Sequence, residues 1–240
     1  MPATVTRQSA NCYWHYNNDF FDTISTDNFD PRYWQAKNAV IGQEKGRGTT
    51  WFVHHKGYDL VLRHYLRGGV ASKLSRDTYL YKNRQSSRSI AEFEILNKLH
   101  ALGLPVPRPV AAQTVRYGLC YRADILIERI PLANDLLRIL QTAQDNTFYQ
   151  QLGQTIAQFH SNGVFHADLN IQNILQDQGG KFWLIDFDRA KLRQPQQNWQ
   201  ARNLSRLLRS FEKEQQRHGI NWQHNDWTIL TDAYSLAMKA

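Results

Sequence analysis

Asp168, Asn173 and Asp186 are the residues whose types and spacing could do chemistry. The two carboxylates stand 18 positions apart, and Asn173 follows the first by five. Each carboxylate comes after a short apolar run, Val164-Phe165 before Asp168 and Phe182-Trp183-Leu184-Ile185 before Asp186. Between them lie Ile174-Leu175 and the Gly179-Gly180 pair, a pattern that predicts loop, strand, tight turn, strand and loop. Such a hairpin would bring one carboxylate from each loop to one place, with the Asn173 amide oxygen beside them. These are hard oxygen donors of the kind Mg²⁺ prefers, because that ion takes few protein ligands and completes its shell with water and phosphate. A further carboxylate near the metal can orient and deprotonate an attacking hydroxyl, which is what phosphoryl transfer needs.

Upstream segments must position this group. Residues 41–65 read as strands around a glycine-rich turn, Gly46-Arg47-Gly48, where backbone N–H groups could approach phosphates. Tyr58–Tyr65 has strand composition. Residues 89–102 place Ile90, Phe93, Leu96, Leu99 and Leu102 at helical spacing, with Ser89 expected as N-cap and Glu92 completing a capping box. Gly103 and the prolines at 105, 107 and 109 end that helix in an extended connection. Val110–Val115 and Gly118–Ile130 follow as strands. Helices are expected over 135–141, 148–161, 203–216 and 226–238. The aromatic-rich residues 1–40 read as an extension packed on the first lobe, with a short helix near Tyr33-Trp34-Gln35-Ala36. Strands before and helices after give an α+β, two-lobed chain: a β-rich lobe over 41–130, an α-helical lobe over 131–240 and a cleft between them.

Composition narrows the classes. With 240 residues, 42% hydrophobic and 12% aromatic, the chain can bury a sizeable core and is not of disordered type. No stretch reaches the ~18 apolar residues of a membrane span, and the N-terminus lacks the apolar core of a secretory signal. The two cysteines, Cys12 and Cys120, have no metal-ligand spacing, which fits a reduced compartment without structural zinc. The net charge of +8 is concentrated. Residues 56–88 and 189–217 each hold eight Lys/Arg against two acids, leaving the remainder net acidic. Two basic segments suggest an anionic partner: phosphate, an acidic lipid surface or nucleic acid. On 189–217, Arg206 and Arg209 fall three apart on one helical face that could bind an acidic sugar or lipid phosphate.

The order His166-x-Asp168-Leu169-x-x-x-Asn173 followed by Asp186-Phe187 fits the protein-kinase signature set. Together with GRGTTWF, VLRHYLRGG, LGLPVPRP and YRADILIERI, it makes the chain, from about Gly42 to Ala240, resemble the lipopolysaccharide kinases of the protein-kinase-like superfamily. The resemblance is nearest to enzymes that use ATP to phosphorylate a 3-deoxy-D-manno-octulosonic acid (Kdo) residue of a lipid A precursor. It implies Asp168 as catalytic base, Asn173 and Asp186 as Mg²⁺ ligands, and Gly46 and Gly48 over the ATP phosphates. It also implies Glu128 to Ile130 as the adenine-facing hinge and Glu92 as the helix glutamate, with Glu94 the alternative. The partners it implies are a Kdo-bearing lipid A precursor and peripheral contact with an anionic membrane, at the cytoplasmic side of the inner membrane. Nucleic acid and an obligate protein partner are not expected.

The chain departs from the superfamily at several positions. Trp51 replaces the third loop glycine, and Arg63 stands where an ATP-anchoring lysine is usual, so that either Arg63 or Lys73 must serve, or the site is degenerate. Ala167 precedes the catalytic aspartate in place of arginine, which weakens the case for control by a phosphorylated loop. Asp188 replaces the glycine after Phe187, and no APE motif follows. Two rivals stay open: a soluble kinase of aminoglycoside- or choline-like metabolites, and a pseudokinase that binds acidic lipid or nucleic acid.

Overall fold

The computed structural model describes residues 3–46, 48–67 and 76–239, so Lys73 lies outside the described residues. The chain forms two compact units, residues 1–101 with 107–129, and residues 102–106 with 130–240.

The first unit is built on an antiparallel sheet. Its strands are β1 (Thr4–Gln8), β2 (Cys12–Asn17), β3 (Val40–Lys45), β4 (Thr49–His55), β5 (Tyr58–His64), β6 (Tyr79–Leu80), β7 (Pro109–Tyr117) and β8 (Cys120–Glu128). Among the described residues they are ordered β1-β2-β7-β8-β5-β4-β3, with β6 on β8. β8 is central and reads as an unbroken buried run from Ala123 to Ile127, as expected for a strand covered on both faces. Helix α1 (Pro31–Ala36) starts where expected, with the Asp30 side chain accepting from the Arg32 N–H at 2.9 Å. The first 40 residues do more than pack on a lobe. Trp14, Tyr16, Phe20, Phe21, Ile24, Phe29 and Trp34 share one buried cluster with Val53, Leu60, Leu62, Val110 and Leu126. Their irregular spacing hid β1 and β2, which pair with each other, and the pairing of β2 to β7 is visible only in three dimensions.

Helix α2 (Arg88–Ala101) begins two residues earlier than the capping-box pattern implied. The Ser87 carbonyl accepts from the Ala91 N–H at 2.9 Å, so Ser87 rather than Ser89 precedes the helix. Ser89 is buried and donates to the Gln113 carbonyl at 2.7 Å, tying α2 to β7. A long-range partner has overridden a local cap.

The second unit contains β9 (Asn134–Asp135), α3 (Leu136–Ile139), α4 (Asn146–Ser161), β10 (Val164–Phe165), β11 (Ile174–Gln176), β12 (Phe182–Leu184), β13 (Lys191–Leu192), α5 (Gln197–His218) and α6 (His224–Ala237). The helix expected over 135–141 is reduced to the single turn of α3, and α5 is longer than the apolar period alone suggested. It ends at Gly219 in the left-handed conformation, with Arg217 and His218 in its last turn. The expected hairpin is present as β11 and β12, with Ile174 opposite Leu184, and β9 adds a third strand. The strip Leu102–Val106 belongs here because Leu104 and Val106 are buried and the Leu184 N–H donates to the Pro105 carbonyl at 3.0 Å.

Gly163 closes α4 and opens the loop that carries Asp168. Its φ is +73°, and a Cβ there would lie 2.1 Å from the Arg193 carbonyl oxygen. The same carbonyl region is held because the Arg193 N–H donates to the Gly163 carbonyl at 2.8 Å. Gly163→Ala is therefore expected to lower unfolding stability by about 2–4 kcal/mol, combining left-handed strain with overpacking. Gly57→Ala, at φ +85° with no neighbour within 4 Å, carries only the strain and should cost about 1 kcal/mol. Urea unfolding of the two variants checks the difference.

Candidate active site

His166 fixes the loop that bears Asp168. It is 2% exposed, its Nδ1 accepts the Asp168 N–H at 3.2 Å, and its Nε2 lies 3.0 Å from the Ile185 carbonyl. Because Nδ1 accepts, the ring proton sits on Nε2 and is donated to Ile185. Burial lowers the pKa of His166, which keeps the ring neutral and this tautomer in place. One imidazole thus ties the loop of Asp168 to the residue before Asp186. Phe187 packs edge-on against the same ring, 4.9 Å between centroids. His166 holds loop geometry, and Phe187 is core. Trp183 is not core: it lies half-buried on the hairpin, with its indole N–H donating to Asp177 at 2.8 Å and Lys181 over its face.

Asn203 on α5 clasps His166 from both sides, accepting its N–H at 3.2 Å and donating to its carbonyl at 3.0 Å. The sequence reading missed this residue, although a signal was there. Asn203 is a polar residue on the buried stripe that continues through Leu207 and Phe211. Asn170 and Ser210 were missed too: the Asn170 side chain accepts from the Gln172 and Asn173 N–H groups, and Ser210 accepts from the Ile171 N–H.

Asn173 donates its amide N–H to the Asp168 carbonyl at 2.9 Å, and its own carbonyl accepts from the Ile185 N–H at 3.0 Å. With the amide nitrogen committed, the oxygen of that side chain is the end left to ligate a cation. Asp186 adopts φ +61°, a backbone state uncommon for a residue other than glycine and concentrated at functional positions. Aspartate tolerates it better than most. The glycine usual two residues later is not required by this backbone, because Asp188 is not among the positive-φ residues. Among the described residues no three His, Cys, Asp or Glu cluster into a metal cage. The Asn173 amide oxygen and the Asp186 carboxylate are hard oxygen donors of the kind Mg²⁺ takes. The Asp168 carboxylate is half-exposed and accepts from Arg206 Nη1 at 2.7 Å.

In the first unit, Arg63 on β5 meets Glu92 on α2. Its Nη2 lies 2.6 Å from both carboxylate oxygens, and the Tyr65 hydroxyl donates to Glu92 as well. Glu92 is 1% exposed at its side chain, while Arg63 retains 23%. Glu92 therefore does not turn back to cap α2, and Glu94 instead lies near His15 at 3.8 Å. Gly46 donates its N–H to the Gly48 carbonyl at 2.8 Å, so that amide is spent within the β3–β4 turn. Gly46 keeps φ outside the left-handed region, and a Cβ on Gly48 would meet Leu66 at 2.4 Å. The absence of a side chain at Gly48 serves packing. Glu128 ends β8 with its carboxylate on Arg108 at 2.9 Å and its N–H on the Arg108 carbonyl; Ile130 opens the second unit.

The model of the Lipopolysaccharide kinase (Kdo/WaaP) family matches residues 31–234. The chain belongs to that family. It is 45% identical over 230 residues to a 3-deoxy-D-manno-octulosonic acid kinase of Vibrio parahaemolyticus, covering 95% of this chain and 96% of that one. To the protein of that name from Haemophilus influenzae it is 42% identical over 236 residues, covering 95% and 98%. A third such relative, from Photobacterium profundum, is 44% identical over 210 residues and 87% of this chain and 88% of its own length. The α+β kinase-like fold expected from the sequence is thus that of the lipopolysaccharide kinase family.

The Arg63–Glu92 pair should be sensitive to loss of either partner. Glu92→Ala leaves a partly buried guanidinium without its carboxylate and is expected to cost about 3 kcal/mol or more, whereas Glu94→Ala should stay within about 0.5 kcal/mol. Denaturant midpoints of the two variants separate the assignments. His160 generates a pH prediction. It is buried, its Nδ1 lies 2.9 Å from the Tyr234 hydroxyl, and burial lowers its pKa from 6.5 to about 4. The unfolded chain takes up a proton at this residue near pH 6.5 while the folded one resists until about pH 4. Stability therefore falls as pH drops through that window, by up to about 3 kcal/mol from this residue. His64 acts oppositely, because its hydrogen bond to Asp124 raises its pKa and its contribution fades as pH rises. His160→Gln should flatten the acid-side fall in urea stability between pH 6.5 and 4; an unchanged slope would count against this origin.

Proposed function

We propose that this protein transfers the γ-phosphoryl group of ATP to a hydroxyl of a Kdo residue on a lipid A precursor, a step of lipopolysaccharide inner-core assembly. The observation that carries the reading is the Asp168–Asn173–Asp186 array, held together by His166 within a chain about 45% identical over 95% of its length to proteins named as Kdo kinases. Asp168 accepts the proton of the attacking hydroxyl, and its loop is fixed by His166 and Asn203 so that the carboxylate needs little reorganisation. The oxygen of Asn173 and the carboxylate of Asp186 would hold Mg²⁺, which neutralises charge on the transferring phosphoryl group when bound. Arg63, anchored by Glu92, offers a positive charge to the nucleotide phosphates in place of the usual lysine. Gly46 and Gly48 and the Glu128–Ile130 segment remain the candidates for phosphate cover and adenine contact.

A peripheral position on the cytoplasmic face of the inner membrane follows from a lipid-linked acceptor and is supported by surface chemistry. No helix of the described residues is long and apolar enough to cross a membrane. Leu80 and Tyr117 flank Cys120 across three paired strands, with Leu119 in the adjoining turn. All but Cys120 are exposed, and Arg116 and Arg122 lie at the same end of the sheet. Apolar side chains rimmed by cations suit an anionic lipid surface, at about 1 kcal/mol per well-placed cation. The soluble kinase of cationic metabolites is disfavoured because Arg206 stands beside Asp168, where a cationic acceptor would be repelled. The pseudokinase is disfavoured by the intact Arg63–Glu92 pair.

Mg²⁺-dependent ADP release should rise strongly on adding Kdo-bearing lipid A precursor. Asp168→Asn is expected to lower turnover by at least about a hundredfold without moving the melting temperature, since its carboxylate is half-exposed and pairs with the exposed Arg206. Wild-type turnover in that variant would overturn the assignment.

A further inference from the structure

We propose that Arg206 binds the carboxylate of the acceptor sugar acid, and that its contact with Asp168 is exchanged for that ligand when the acceptor enters. The proposal rests on the functional reading above and names what recognises the acceptor there. Arg206 is half-exposed on α5, and its Nη1 lies 2.7 Å from Oδ1 of the carboxylate that must meet the reacting hydroxyl. A group that reaches the base also reaches whatever the base touches. Arg202, Arg206 and Arg209 fall at spacings of four and three along α5, all exposed, opposite the buried stripe of Asn203, Leu207 and Phe211. The helix is rigidly placed, because Asn203 clasps His166 and Ser210 accepts the Ile171 N–H from the loop of Asp168. The cation is therefore fixed relative to the catalytic loop at both neighbouring turns.

Asp168 has no buried partner in that contact, so a pair this exposed is weak and exchanges readily. A guanidinium offers a planar fork to an incoming carboxylate, and the second carboxylate would release Asp168 to accept the hydroxyl proton. Kdo carries a carboxylate on the ring that bears its hydroxyls, so one bound anion would orient the hydroxyl toward Asp168. Neutral sugars would leave Arg206 on the base and bind poorly. This makes Arg206 a determinant of acceptor class.

The test compares wild type, Arg206→Gln and Arg206→Lys for Mg²⁺-dependent ADP release, using detergent-dispersed Kdo-bearing lipid A precursor and the same acceptor with its carboxylate converted to a carboxamide. Losing a charge-assisted contact should raise the acceptor KM of Arg206→Gln about tenfold to a hundredfold while the ATP KM stays put. Arg206→Lys should recover part of that loss. Wild type should lose a similar factor on the carboxamide, and Arg206→Gln should lose little more. Arg217→Gln, the same charge change at the far end of α5, should leave acceptor KM unchanged. An unchanged acceptor KM in Arg206→Gln, or equal penalties from the carboxamide in wild type and variant, would overturn the role of Arg206 alone. Wild type that turns over other hydroxyl acceptors but not the Kdo acceptor would overturn the functional reading and this proposal with it.

Discussion

A neutral, buried imidazole is the constraint on which the second unit of this molecule depends. His166 can accept the Asp168 N–H and donate to the Ile185 carbonyl only in one tautomer, and only while uncharged. Protonation would remove the acceptor and place a charge where water does not reach. Burial beneath Phe187 and the Asn203 clasp sustain that state. The ring joins the loop of Asp168 to the residue before Asp186, and Asn173 makes a second tie between the same two places, from the Asp168 carbonyl to the Ile185 N–H. The strained φ of Asp186 is tolerable for the same reason, since the surrounding bonds over-determine it.

The first unit solves a parallel problem with charge. An arginine replaces the usual lysine, and a guanidinium is larger than an ammonium. The structure accommodates it by letting one Nη2 bridge both oxygens of Glu92 while the Tyr65 hydroxyl also donates to that carboxylate. Glu92 is almost fully buried, so its partners decide whether α2 can stay where it is. The substitution therefore keeps the ion pair and changes the geometry that presents the cation.

Much of this was legible in the sequence because the informative residues are close along the chain. The hairpin, the Asp168–Asn173–Asp186 order and the helix that ends before Gly103 all follow from local spacing. What was hidden depends on partners far away. Ser89 looked like a cap until Gln113 took its hydroxyl, and Tyr13 to Asn17 carried no visible period because β2 pairs with a strand almost a hundred residues later. The contact of Arg206 with Asp168 spans 38 residues, and no periodicity encodes it. Asn203 was the exception: a polar residue on the buried helical stripe with Leu207 and Phe211.

The strip Leu102–Val106 has a bearing on dissecting the molecule. The chain leaves its first unit after Ala101, lends five residues to the second, returns for β7 and β8, and departs again at Arg129. The units are interleaved in the gene, not laid end to end. A fragment begun at residue 130 would lack Leu104 and Val106 from its interior and the Pro105 carbonyl that receives the Leu184 N–H, at the strand leading directly to Asp186. Domain swapping between family members by a single crossover would break the same bond. Grafts that preserve both halves must carry this short insert with the helical partner.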